Sequence, residues 1–198
     1  MVTFSSQEID LLSNDTILLI KNRIFEKGAN LLNEIEQHTK RSLAANYLPK
    51  EINLLNGKLS KGENYRHLPY LMLDYPAFFS KNDVFAFRTM FYWGHFVSFT
   101  IHLSGKYLAF YGDDLISHYK LNNQVYFCIN DTPWEYRYND DNYKLLVQLS
   151  NHDFSTHIKE NEFIKLSRKI PITQIQGCQS SITSWIDEAL DILKKQKL

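Results

Sequence analysis

Apolar positions near the start of the chain recur with the period of an α-helix. One stripe contains Ile17, Ile20, Ile24, Leu31 and Ile35. This spacing is typical of a helix that packs one face against a core. Ser5 and Glu8 precede the stripe with the spacing of a capping box, which predicts a helix start. The pattern predicts helical structure over residues 5–46, either as one helix or as two helices that divide at residues 13–16.

From residue 50 onward, the apolar positions alternate with the period of two that is typical of β-strands. Asn56-Gly57 lies between short apolar runs and predicts a tight hairpin turn. Residues 65–75 alternate as one strand. Pro69 must lie near its start or on a sheet edge, because proline cannot donate a ladder hydrogen bond. Residues 50–172 are therefore predicted to be mainly β, with short helices between the strands.

The C-terminal segment returns to the helical period. Its apolar face contains Ile182, Trp185, Ile186, Ala189, Leu190 and Leu193. These positions predict an amphipathic helix over residues 178–196. Helices at both ends and strands in the middle indicate an α+β fold, in which a central antiparallel β-sheet is packed by N-terminal helices and by this C-terminal helix. The length is that of a single globular domain, residues 1–198.

The densest run of large apolar side chains is FAFRTMFYWGHFVSFTIHL, residues 85–103. Arg88, His95 and His102 would be costly at bilayer depth, and the apolar positions alternate with a period of two. The run is therefore expected to be strand rather than a membrane span. One straight strand would be roughly 66 Å long at about 3.3 Å per residue. Because a domain of this length has a diameter of ~42 Å, the run must turn or bend.

Gly94 is the residue at which this run is expected to turn. A two-residue turn at Gly94-His95 pairs Arg88 with Ile101. The same register pairs Phe87 with His102, so that Arg88 and His102 lie on opposite faces of the sheet. The alternative is a bulge at Gly94 in one bent strand, which leaves Arg88 and His102 on one face but roughly 46 Å apart. Neither arrangement lets these two side chains serve one site.

Charge and cysteine content argue against several classes of function. Lys and Arg total 22 and Asp and Glu total 22, so the chain lacks the basic excess that favours nucleic acid or an anionic membrane surface as a partner. The N-terminal residues lack the basic and apolar regions of a secretory signal. Cys128 and Cys178 are too few for a disulfide framework. We expect two free thiols in a soluble, cytoplasmic protein that binds neither nucleic acid nor membrane.

No sequence motif assigns a reaction or a cofactor. The chain contains no GxGxxG, GxxxxGK[ST], HExxH or GxSxG motif, so no cofactor is expected. His67, Asp74 and His102 are the side chains that a metal ion would use if they converged, but their spacing matches no ligand motif and no metal site is predicted. Residues 130–142 are rich in acids and amides and are interpreted as turns, because the oxygens of a calcium loop are not at the required positions.

Polar side chains within the strands are the candidate ligand-binding residues. Arg88 lies among large apolar residues, and a buried guanidinium requires a partner. We expect an ion pair with a carboxylate on a neighbouring strand, an exposed sheet face, or an anchor for an anionic ligand. The candidate set is Arg66, His67, Asp74, Arg88, Tyr92 and His102.

Three functions fit a chain with 13 Phe, 12 Tyr and 3 Trp but no reaction motif. The leading hypothesis is a non-catalytic binding module that recognises a partner protein or a small ligand through an aromatic-rich sheet surface. The second is a small-molecule enzyme whose pocket uses Arg88 as an anion anchor, His102 as a general base and Asp74 to orient His102. The third is a structural homodimer subunit without a ligand site, joined through its terminal helices.

Overall fold

One antiparallel sheet organises the computed structural model, which describes residues 1–44, 48–53 and 56–194. Its strands in these ranges are β1 (Lys58–Tyr65), β2 (Leu68–Phe79), β3 (Val84–Tyr92), β4 (Phe96–Ser104), β5 (Tyr126–Cys128), β6 (Tyr143–Leu145) and β7 (Phe163–Pro171). The strand order is β1-β2-β3-β4-β7-β5-β6, and the paired strands are antiparallel. The predicted central antiparallel sheet is confirmed.

Helices from both ends of the chain pack on this sheet, which confirms the predicted α+β fold. The described α-helices are α1 (Ser6–Leu12), α2 (Asp15–Ala44), α3 (Lys50–Asn53), α4 (Gly105–Tyr119), α5 (Asn151–Asn161) and α6 (Cys178–Leu193). Ser5 and Glu8 form the predicted capping box at the start of α1. α1 and α2 divide at residues 13–14, as in the two-helix alternative. Residues 45–46 and 195–196 of the predicted helical segments lie outside the described residues.

The odd-numbered residues of β3 and β4 point into the main hydrophobic core. Successive side chains of a strand point to opposite faces, and the apolar alternation of this run assigns one whole face to the core. α2, α4 and α6 cover that face, where Leu32, Leu115 and Ile186 are buried. The strand residues in this core are Phe85, Phe87, Phe91, Val97, Phe99, Ile101 and Leu103.

The first hairpin turns at Arg66-His67, where both residues have positive φ angles of 49° and 68°. Positive φ at both central residues is typical of a type I′ turn, whose twist matches that of the strands. The strand predicted over residues 65–75 begins at Leu68, next to Pro69 as the proline predicted, whereas Tyr65 belongs to β1 on the other side of the turn. The hairpin predicted at Asn56-Gly57 is not formed by the described residues. There β1 is an edge strand that pairs with β2, and Lys50–Asn53 before the turn are helical, while residues 54–55 lie outside the described residues.

The second hairpin, between β3 and β4, has a three-residue turn at residues 93–95. Gly94 lies at φ 74°, and the His95 N–H donates to the Tyr92 carbonyl at 3.1 Å. In the resulting register, Tyr92 pairs with Phe96 and Arg88 pairs with Thr100. The predicted hairpin is confirmed, but the predicted two-residue turn is one residue too short. Because one residue of register exchanges the two faces, Arg88 and His102 lie on the same face of the sheet.

The other face of the sheet is covered by residues 129–142, which form neither helix nor strand. This segment is called the covering loop. Its Tyr136 and Tyr138 pack with Tyr92 and Phe96 of the sheet. Both faces of the central strands are therefore covered, and the aromatic residues of the sheet do not form one broad exposed surface.

The run of residues 85–103 forms β3, the turn and β4 instead of a membrane span. Across the parts of the chain that the structure describes, no helix combines the length and the apolar character needed to cross a bilayer. Cys128 and Cys178 are both free and buried, as expected.

Two glycines with positive φ provide a test of the turn geometry. Gly94 (φ 74°) has open space where a Cβ would lie, whereas a Cβ at Gly105 (φ 56°) would collide with the Asp83 carboxylate and the Asn82 carbonyl. We expect Gly94→Ala to lower the free energy of unfolding by about 1 kcal/mol, from backbone strain alone. Gly105→Ala should cost at least about 3 kcal/mol, because displacement of neighbouring atoms adds to the strain. Urea unfolding of both variants measures the difference, and equal losses would contradict it.

Candidate functional site

The structure divides the six predicted site residues between two places. Arg66 and His67 form the turn between β1 and β2, where both are exposed. The other four residues lie on the sheet face beneath the covering loop. They have even numbers in β2, β3 or β4, and the even-numbered residues of these paired strands point to that face. These residues are Asp74, Arg88, Tyr92 and His102.

Arg88 and Asp74 form a two-pronged ion pair between neighbouring strands. They are register partners in β3 and β2. The Arg88 Nε donates to Asp74 Oδ1 at 2.6 Å and a terminal nitrogen donates to Oδ2 at 2.8 Å. The second terminal nitrogen donates to the Tyr136 hydroxyl of the covering loop. The guanidinium thus has the neighbouring-strand carboxylate expected from the sequence, and its fork is occupied from within the protein.

Lys165 is a buried charge that the sequence reasoning missed. Its side chain is 1% exposed, and its ammonium donates to the backbone carbonyls of Pro133 at 2.7 Å and Glu135 at 2.8 Å. The ammonium also lies 4.9 Å from the centre of the Tyr136 ring, close enough for a cation–π interaction. Burial lowers the pKa of Lys165 to about 8. The alternation of Lys165 and Ser167 on one face of β7 was the signal in the sequence that this face is polar.

Glu135 ties the covering loop to the first hairpin. Its carboxylate accepts hydrogen bonds from the Arg66 guanidinium at 2.6 Å and from the Tyr65 hydroxyl. Partial burial acts to raise the pKa of Glu135, but the hydrogen bonds from Arg66, Tyr65 and the backbone lower it to about 2. The exposed turn residue Arg66 is therefore a contact of the covering loop.

His102 occupies an aromatic and positively charged environment. Its side chain is 6% exposed, and its ring centre lies 6.0 Å from that of Trp134 and 5.7 Å from that of Phe163. Burial, followed by the charges of Lys165 and Arg88, lowers the pKa of His102 to about 3. The imidazole is therefore neutral at physiological pH, and its ring forms no hydrogen bond with any residue that the structure describes.

Arg88 and His102 are neighbours on this face, which corrects the expectation that they cannot serve one site. Because Thr100 is the partner of Arg88, His102 is its diagonal neighbour, at roughly 7–8 Å between Cα atoms. Trp134 contacts both, since the Arg88 guanidinium carbon lies 5.8 Å from the centre of the indole. His102 nonetheless forms no hydrogen bond with Asp74, whose carboxylate binds Arg88.

An open pocket of about 780 Å³ lies beside His102. It is bounded by the turn between β2 and β3, the start of α4, the end of α5 and the beginning of the covering loop. His102 forms part of its floor, and Trp134, Phe163 and Leu108 supply apolar walls. Asn161 adds a polar group, and Lys81, Asp131 and Glu162 contribute charges of both signs. Asp74 and Arg88 do not line this pocket.

The pocket has the donors and acceptors for binding but not a cluster that would hold a metal ion. Among residues 1–44, 48–53 and 56–194, no three His, Cys, Asp or Glu side chains lie close enough together for that purpose. His67 at the first turn and His102 at the pocket do not converge with Asp74. A neutral imidazole offers one N–H donor and one bare nitrogen acceptor to a ligand.

Comparisons with protein-family models, with curated proteins and with solved structures gave no match for this chain.

The Arg88–Asp74 pair allows a test of how the buried charges contribute to stability. Asp74→Ala leaves the Arg88 guanidinium buried without its carboxylate, and we expect a loss of about 3–5 kcal/mol in the free energy of unfolding. The double variant Asp74→Leu/Arg88→Met removes both charges and should lose clearly less, because no charge is left uncompensated. Urea unfolding gives both values. A double variant that is no more stable than Asp74→Ala would contradict this account.

The pKa of His102 generates a prediction about acid stability. The unfolded chain binds a proton at His102 near pH 6.5 and the folded protein near pH 3, so acidification through this window favours unfolding. Between pH 8 and pH 5 this residue should cost about 2 kcal/mol of the free energy of unfolding. His102→Phe should remove that part of the pH dependence and leave a constant difference from the wild type above pH 8. Parallel curves from pH 8 to pH 5 would show that His102 is not buried as a neutral ring.

Proposed function

We propose that this protein is a binding module for a small, flat and uncharged molecule, which occupies the pocket beside His102. The observation that carries the proposal is the His102 ring itself. It is a neutral imidazole at the floor of the pocket, and its nitrogens have no partner among the described residues. The His102 nitrogens are not among the buried side-chain atoms without a partner, so they are open to the pocket, where a ligand can bond to them in place of water.

The walls of the pocket favour a planar apolar ligand with one polar edge. Trp134 is 53% exposed and presents its indole to the pocket, while Phe79 supports that indole from the side at 6.3 Å between ring centres. Ligand sites are typically concave and apolar with a small number of polar groups that fix orientation. A volume of about 780 Å³ lies within the range of small-molecule sites.

An uncharged ligand suits this pocket better than an anion or a cation. The cations Arg88 and Lys165 are next to Trp134 and His102. Both already form hydrogen bonds within the protein, so neither is free to bind an anionic ligand. The charges at the rim have both signs, with Lys81 opposed by Asp131 and Glu162. The specific contact is therefore a hydrogen bond to His102, and an aromatic stack on Trp134 adds apolar contact.

A small-molecule enzyme is the second candidate, because the observed register brings Arg88 and His102 to the same face. Two features favour binding over this alternative. The Arg88 fork and the Asp74 carboxylate bind each other, so neither is directed at the pocket. A general base works best with a pKa near the operating pH, and a pKa of about 3 makes His102 a weak base.

A fragment screen tests the proposal. Neutral heterocycles are added to ¹⁵N-labelled protein, and the indole N–H signals of Trp93, Trp134 and Trp185 are followed by NMR. We expect a subset of fragments to shift the Trp134 signal alone. His102→Phe keeps an aromatic ring but removes the hydrogen bond, and it should weaken binding about tenfold.

The matched control is His152→Phe, at an exposed position of α5 outside the pocket, which should leave the affinity unchanged. Fragments that shift only Trp93 or Trp185, or that bind His102→Phe as tightly as the wild type, would contradict the proposed site. The same samples separate binding from catalysis. Ligand spectra should stay unchanged on long incubation, whereas conversion that stops in His102→Phe would establish the enzyme.

A further inference from the structure

The first twenty residues are exposed throughout, although half of them are large and apolar. This segment consists of α1 and the first turns of α2 and is called the N-terminal arm. No residue of α1 is buried, and the buried face of α2 begins only at Phe25. The large apolar side chains of the arm are Met1, Val2, Phe4, Ile9, Leu11, Leu12, Ile17, Leu18, Leu19 and Ile20.

The arm lies before the point at which α2 contacts the edge strand β1. Lys21 forms an ion pair with Glu63 of the edge strand β1, and the preceding helical residues of α2 have no buried position. At 1.5 Å per residue, the part of α2 before Phe25 is roughly 15 Å long. A seven-residue helix such as α1 has little stability of its own in water, so the arm requires a surface to pack against.

The exposed apolar area of the arm matches the requirement of a protein interface. Its ten large apolar side chains are 42–119% exposed. With about 100 Å² for each fully exposed side chain, they present roughly 650 Å² of apolar surface to solvent, summed around both helices. The largest apolar patch of a typical monomer is about 300–600 Å², and each partner in a standard interface contributes about 800 Å².

The charges of the arm favour protein over lipid as the occupant. Residues 1–20 contain Glu8, Asp10 and Asp15 and no Lys or Arg. Helices that lie on membranes carry basic residues on their polar face, because cellular membrane surfaces are negatively charged. The arm has the opposite charge, and the basic residues of α2, Lys21, Arg23 and Lys27, begin only after it.

We propose that the N-terminal arm is a homodimer interface, in which the α2 helices of two copies cross antiparallel about a twofold axis at Leu19. The exposed apolar side chains of α1 then add to the interface beside the crossing α2 helices. A twofold interface brings the same surface of each copy together and closes without further growth. The interface is independent of the pocket, because no residue of the arm lines it.

Charge complementarity selects a second copy and this crossing point. Asp15 and Arg23 lie four residues before and after Leu19, so all three share one helical face. Antiparallel crossing at Leu19 brings Asp15 of each copy to Arg23 of the other, which forms two equivalent ion pairs. Within the residues that the structure describes, neither Asp15 nor Arg23 has an ion-pair partner in its own chain.

Light scattering coupled to size-exclusion chromatography tests the association of the full chain over the micromolar range. We expect twice the mass of one chain for the wild type. Asp15→Arg and Arg23→Asp should each weaken the dimer about tenfold or more, because each places like charges together twice. The double variant Asp15→Arg/Arg23→Asp should restore the dimer, since both pairs form again with exchanged signs.

Cysteine crosslinking tests the crossing point separately. Leu19→Cys places two thiols at the twofold axis and should give a disulfide-linked dimer under mild oxidation. The native cysteines are buried and do not compete. The control is Leu121→Cys, which is 93% exposed and lies after α4; it should remain uncrosslinked.

Three results would overturn the proposal. A wild type that is monomeric at high micromolar concentration would contradict the proposed dimer. Failure of the double charge variant to restore association, or failure of Leu19→Cys to crosslink, would refute the crossing at Leu19. Sedimentation of the wild type with phosphatidylcholine vesicles, lost in Leu18→Glu, would assign the arm to a lipid surface instead.

Discussion

Asp74 and Lys165 are buried on one face of the sheet and Arg88 is largely buried beside them, and the arrangement of that face depends on the need of these three charges for partners. A buried charge costs several kcal/mol unless it is paired and hydrogen-bonded. Asp74 and Arg88 satisfy each other across β2 and β3. The Lys165 ammonium donates to two backbone carbonyls of the covering loop. These hydrogen bonds hold the loop, which has no helix or strand of its own, in a defined position over the sheet.

The position of the covering loop creates the pocket. With its carbonyls held by Lys165 and its Tyr136 hydroxyl by Arg88, the loop places Trp134 against both Arg88 and His102. The same cations lower the pKa of His102, although burial contributes most. A cluster of charges that bind one another and the covering loop therefore lies next to a neutral imidazole that faces the pocket. This combination suits the recognition of an uncharged ligand better than proton transfer.

Turn length explains why the geometry of the site could not be taken from the turn residues alone. Gly94-His95 fits a two-residue hairpin by local turn preference, yet that register would place Phe87 and Ile101 on opposite faces. Burial of both beneath the helices requires an odd number of turn residues, and the protein uses three. Hydrophobic burial along two whole strands outweighs the preference of one turn. The apolar alternation of the two strands therefore predicts an odd number of turn residues, whereas the turn preference of Gly94-His95 alone predicts two.

Periodicity by itself determined the terminal helices, the strands β3 and β4, and hence the α+β fold class, but it left open whether the N-terminal helical segment divides. These features depend on which face of a segment is apolar, and that property is written in the order of residues. Only the tertiary structure decided that β1 turns at Arg66-His67 and that residues 129–142 lie across the sheet. It also decided that the charges of Lys165 and Arg88 both act on His102. The contacts of the covering loop join residues that are distant in sequence. They depend on which buried charges pair in three dimensions, and no periodicity in the order of residues predicts that pairing.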